Sequence, residues 1–202
     1  MIFTDVQQLR DFYAAPKERA VRKQLTSLDE HCRRFVSLSP FLIMSSCDQE
    51  CRLDASPRGG EPGFVHVTDA GDLLIPDSPG NDRLDSLQNI ILTRKLGLLF
   101  MIPGVDETLR INGSAVVSKD PSHLLPFATD SKPSPMTVVC VTVQEAYLHC
   151  AKALMRSKLW AKAATNTARV LPTMNQMIHD QIGDSSAPES QQAMLKRYEK
   201  EL

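Results

Sequence analysis

Residues 96–117, LGLLFMIPGVDETLRINGSAVV, hold two apolar runs of strand length, Leu96 to Ile102 and Leu109 to Val117, on either side of Pro103-Gly104. In the second run Leu109, Ile111 and Gly113 fall on one side, and Arg110, Asn112 and Ser114 on the other. That period of two is the mark of a half-buried strand. Working outward, Phe41 to Ser46, Cys51 to Ala55, Phe64 to Val67, Leu73 to Pro76 and Met136 to Val143 have the same character. Turn material separates them: Pro57-Arg-Gly-Gly, Ala70-Gly-Asp, Pro79-Gly-Asn and Lys132-Pro-Ser-Pro. Six or seven such strands without regular βα alternation favour an antiparallel barrel over a doubly wound sheet.

Helices flank and interrupt this β region. Val6, Leu9, Phe12 and Tyr13 recur at helical spacing, and Ala20 to Leu38 resumes the pattern after Pro16. Ser27 and Glu30 have the form of a capping box. Asn81 to Leu92 sets Leu84, Leu87, Ile90 and Ile91 on one face, with Asn81 the expected N-cap. A further helix is expected from Gln144 through Leu159. The stretch after Trp160 is ambiguous up to Pro172, from which another helix runs to Ile182. Gly183 to Ser190 reads as a hinge. The expected organisation is one domain over residues 1–183 and a polar tail or helix over 184–202.

At 202 residues the chain is long enough for a substantial core. A formal net charge of −1 argues against a general electrostatic grip on nucleic acid. No apolar run reaches the roughly 20 residues of a membrane helix. MIFTDVQQLRDF lacks the basic-then-apolar order of a secretory signal, so a cytoplasmic location is expected. The five cysteines include Cys47 and Cys51, four apart. No second Cys/His pair completes a zinc site, and reduced thiols are the expectation.

Three segments carry candidate chemistry. In IPDSPGNDRLDSLQN, Ile75 to Asn89, a strand ends in a Pro/Gly loop and a helix follows. Asn81, Arg83 and Ser86 there suit a phosphate, and the alternative is that Arg83 is a surface charge paired with Asp82 or Asp85. In RLDASPRGGEPGF, Arg52 to Phe64, Arg58 follows Ser56 and precedes two glycines; it reaches an anion or faces water from a hairpin loop. In AYLHCAKALMRSKLW, Ala146 to Trp160, helical spacing puts His149, Lys152, Arg156 and Trp160 on one face. That face is either a lid over a flat anionic ring or a solvated basic strip that Trp160 anchors. Arg110 faces a ligand, a partner or solvent. No GxSxG, P-loop or HExxH occurs.

Taken in order, SLSPFLIMSSCD, DASPRGGEPGF, LLIPDSPGNDRLDSLQNI, LGLLFMIPGVDETLRINGSA and HCAKALMRSKLW resemble the pyridoxamine 5′-phosphate oxidase-like FMN-binding proteins, in particular a bacterial flavoprotein subgroup. The resemblance runs over about residues 5 to 165. It implies an α+β, mostly β fold: a six-stranded antiparallel split β-barrel with N- and C-terminal helices. It also implies a homodimer with FMN in grooves between the subunits. By that resemblance Ser56 and Arg58 line the flavin or its phosphate, Pro76 and Asp77 lie along the ring or ribityl chain, and Asn81, Arg83 and Ser86 hold the phosphate. Lys152, Arg156 and Trp160 approach the ring. The oxidase's own lysine positions and C-terminal substrate pattern are missing, so its substrate is not implied. The functions in view are an FMN-dependent oxidoreductase with a small-molecule substrate, a non-catalytic FMN- or haem-binding module with His149 as the haem ligand, and a cofactor-free interaction dimer.

Overall fold

Alternating apolar residues in the middle of the chain build one antiparallel sheet, seen in a computed structural model that describes residues 2–78, 80–129, 134–161, 171–183, 185 and 187–199. Two compact units divide the chain, residues 1–157 and residues 158–202. Pro79, the Lys132-Pro133 turn and the stretch 162–170 lie outside the described residues.

The first unit opens with helices α1 (Val6–Phe12), α2 (Glu18–Arg22) and α3 (Glu30–Leu38). Seven strands follow: β1 (Phe41–Cys47), β2 (Leu53–Gly59), β3 (His66–Val67), β4 (Leu73–Pro76), β5 (Lys95–Met101), β6 (Thr108–Ser118) and β7 (Val138–His149). Helix α4 (Asp85–Thr93) lies between β4 and β5, the short α5 (Pro121–Leu124) follows β6, and α6 (Lys152–Ser157) follows β7. The strands pair in the order β2-β1-β5-β6-β7-β4-β3, every neighbour antiparallel. The sheet is curled, a split-barrel architecture. It has seven strands against the six expected because the two-residue β3 pairs with β4.

One face of the sheet makes the core. Leu42 and Met44 of β1, Leu98 and Phe100 of β5, Leu109 and Ile111 of β6, Val139 and Val141 of β7 and Leu73 and Ile75 of β4 are all buried. Cys32 and Val36 from α3 and Leu87 and Ile90 from α4 complete it. Burial pushes the Cys32 thiol up to about 12, with Asp29 adding to the effect. All five cysteines are free. Among the described residues no helix is long and apolar enough to cross a membrane.

Four boundaries depart from the sequence reading. Asp29, not Ser27, caps α3, its carboxylate accepting from Cys32 N at 2.8 Å. The Ser56-Pro57-Arg58-Gly59 segment is strand rather than loop. β2 starts late because residues 48–52 form a turn, with Cys51 left-handed and the Asp48 carboxylate accepting from the Glu50 and Arg52 amides. It then continues through Pro57, which an edge strand tolerates because one row of its N–H groups needs no partner. Helix α4 begins at Asp85, not Asn81, and its N-cap is Leu84 in the left-handed region.

The largest departure is at residues 144–149, expected as helix and found as the second half of β7. Ala146 pairs with Ile111 and His149 with Thr108. Leu25 also exchanges two backbone hydrogen bonds of 2.9 Å with Ala146. Ala146 is buried there, but Leu148 and Met155 are exposed.

The second unit holds α7 (Met174–Ile182), capped by Thr173 and ended by left-handed Gly183, and α8 (Gln191–Tyr198), capped by Ser190. Glu189 ties the two, accepting from Asn175 Nδ2 and pairing with Arg197 at 3.0 Å.

Candidate anion site at the edge of the sheet

Alternation along β2 sets Asp54, Ser56 and Arg58 on the core-side face, opposite Ser46, Met44 and Leu42 of β1. Helix α4 brings Ser86 to them. Arg58 Nη1 donates to Ser56 Oγ at 2.5 Å and Nη2 donates to Ser86 Oγ at 3.3 Å. Ser86 Oγ in turn donates to Asp54 Oδ2 at 2.5 Å. Ser86 is buried, so its hydroxyl needs these partners. Arg58 thus presents a forked cation held by two hydroxyls, the donor set that recognises a phosphate or carboxylate.

Asp77, at the end of β4, lies in the field of Arg58. Burial raises its carboxyl above the ordinary value of 3.8; Arg58 opposes that shift and Asp82 adds to it. A folded-state value above the unfolded one means that the native protein holds the extra proton. Stability contributed by this group is therefore present at low pH and is lost as pH rises from 3.8 through the raised value. Asp77→Asn is expected to remove that slope. Urea midpoints measured across the acid range test it, and an unchanged slope counts against the assignment.

The loop before α4 carries two left-handed non-glycine residues, Asp82 (φ 57°) and Leu84 (φ 58°), around Arg83. Each costs about 1–2 kcal/mol, and together they turn Arg83 outward. Its side chain is 72% exposed and pairs with Asp85, Nε to Oδ2 at 2.8 Å, which holds the Asp85 carboxyl low. Asn81 Oδ1 accepts from the Arg83 amide at 3.2 Å instead of capping the helix. The paired-surface-charge alternative for Arg83 is the one that the geometry favours. Pro76 pairs with Val138 at the end of β4.

Ser56, Arg58 and Ser86 are therefore in contact, Asp77 is in Arg58's field, and Asn81 and Arg83 sit on the adjoining loop. Lys152 and Arg156, on α6, are exposed and make no hydrogen bond or ion pair with that group. His149 ends a strand, so the single helical face of His149, Lys152, Arg156 and Trp160 does not exist. Trp160 belongs to the second unit. Asp54 was missed. The signal was available, because Asp54, Ser56 and Arg58 alternate in DASPR, but the expected strand stopped at Ala55 and separated Asp54 from the other two.

The family model for pyridoxamine 5′-phosphate oxidase matches residues 28–150, which span β1 to β7 and the whole of this site. The chain belongs to that family. Among solved structures, a variant of HupZ from Group A Streptococcus is similar at a TM-score of 0.50 and 11% identity, covering 60% of this chain and 98% of its own. A protein related to general stress protein 26, of the pyridoxinephosphate oxidase family, from Clostridium acetobutylicum is similar at a TM-score of 0.43 and 13% identity, covering 60% and 90%. No curated protein matches the chain.

Proposed function

We propose that the protein binds FMN and works as an FMN-dependent oxidoreductase on a small molecule. The observation that carries the reading is the Ser56–Arg58–Ser86 group on a sheet of this family. It offers a fork and two hydroxyls to a phosphate. Bound flavin would supply hydride and electron transfer, so the protein needs only to orient it and tune its charge.

In this reading Arg58 and Ser86 grip the phosphate, and Arg83 trades Asp85 for it. Ser56 holds Arg58 in place, and Pro76 and Asp77 line the path of the ribityl chain or ring. Asn81 fixes the backbone ahead of Arg83. Lys152, Arg156 and Trp160 would serve from a neighbouring copy. A homodimer is part of the proposal because β2 is an edge strand, leaving the site without a wall on that side. Exposed Leu53, at 86%, adds apolar surface at the same edge.

The absorption spectrum of the purified protein, before and after adding FMN and removing the excess, tests the cofactor. Bands near about 375 and 450 nm that stay with the protein are expected. A Soret band would point to haem instead. A spectrum that stays blank after FMN addition would end the flavin reading.

A further inference from the structure

A cavity of about 460 Å³ lies between the sheet and α6, within the size range of small-molecule sites. It is on the opposite face of the sheet from Arg58. Leu42 is paired with Arg58, whereas Ile43 is paired with Leu99 and Leu99 with Arg110, so Arg58 and Arg110 stand on different sides. Gly97 opens the floor by carrying no side chain. Leu99 and Met101 from β5 and Ala153 and Leu154 from α6 give apolar walls.

Two polar groups in this lining have unspent hydrogen-bonding capacity. Arg110 is held with its guanidinium carbon 5.0 Å from the centre of the Tyr147 ring, and it makes no hydrogen bond or ion pair among the described residues. Thr108 is only 7% exposed, yet its hydroxyl has no hydrogen-bond partner among the described residues. The hydroxyl itself is not sealed from solvent, so it can donate to a ligand oxygen that enters the cavity. His149 lies directly across from Thr108 and lines the same cavity. Asp106 also lines it and disfavours a second negative charge on any occupant.

We propose that this cavity is a second binding site, for a small organic acid: a flat apolar body between Leu99 and Leu154, and one monoanionic group on Arg110 and Thr108. The single guanidinium, the neighbouring Asp106 and the apolar walls favour a monoanion over a phosphate. The proposal does not depend on flavin binding at Arg58.

The probe is 8-anilinonaphthalene-1-sulfonate, which joins apolar rings to one sulfonate, titrated into the full-length protein and read by fluorescence. One site per chain is expected. Arg110→Met is expected to weaken it by about tenfold or more, the usual effect of losing a charged hydrogen-bond partner. Ala153→Trp is expected to abolish it by filling the cavity, and Arg58→Ala to leave it unchanged. Circular dichroism and thermal unfolding check that each variant folds. If Ala153→Trp does not fold, the Arg110→Met and Arg58→Ala pair decides. The proposal is overturned if the wild-type protein binds no probe, if folded Arg110→Met binds it as the wild type does, or if FMN displaces it mole for mole.

Discussion

Arg58→Ala is expected to weaken FMN binding by about 100-fold, ~3 kcal/mol, as followed by quenching of flavin fluorescence on titration. The size has two sources. The variant loses both charged donors that the guanidinium fork offers to a phosphate. It also removes the guanidinium that offsets Asp54 and Asp77 beside the site, so both carboxylates repel the incoming anion more strongly. Arg58→Lys is expected to recover only part of the loss, because an ammonium cannot span Ser56 and Ser86 as the fork does. Arg83→Ala is expected to cost about tenfold or less, since Arg83 must first give up its pairing with Asp85. Binding by Arg58→Ala within about threefold of the wild type would move the phosphate away from β2.

Gly113→Ala is expected to destabilise the fold by ~3 kcal/mol or more. Gly113 sits at the register shift in β6, next to Asn112, where β6 and β7 fall out of step. A Cβ there would sit on the carbonyl oxygen of Thr142, far inside contact, and 3.1 Å from its carbon. Both atoms are backbone in a paired strand, so relief requires moving the ladder. Gly97→Ala is the control: its nearest neighbour would be Asn112 Oδ1 at 3.3 Å, the end of a side chain that can shift, and a loss under about 1 kcal/mol is expected. Chemical denaturation of both variants measures the difference. Equal midpoints would mean that the shift relaxes without cost.

The strands around Leu98, Ile111 and Val141 were legible because alternation along each matches one buried face. Two elements were misread for opposite physical reasons. In DASPRG, proline and glycine carry a strong turn signal, but β2 has a partner on one side only and can keep both. In residues 144–149, glutamine, glutamate, alanine and leucine favour helix in isolation. Pairing with Arg110, Ile111 and Leu109 of β6 overrides that preference. The site inherited both errors. Ending the strand at Ala55 separated Asp54 from Ser56 and Arg58, and reading the end of β7 as helix gathered His149, Lys152 and Arg156 onto a face that is not there. Arg58 and Ser86 stood out as candidates in their own segments, and the family resemblance added Ser56 to them. Their mutual contact is a tertiary fact that no spacing in the sequence contains.

The pairing of β4 with β7 bears on how the chain assembles. The β1–β2 and β5–β6 pairs join neighbours in sequence and can zip as soon as their turns form. Leu73 and Ile75 must instead wait for Val141 and Val139, across all of α4, β5 and β6. Loop closure over that distance is the entropic bottleneck, so the sheet cannot be completed until β7 arrives. During synthesis β4 must therefore leave the ribosome unpaired on its β7 side, with Leu73, Leu74 and Ile75 a transient sticky edge for chaperones to cover.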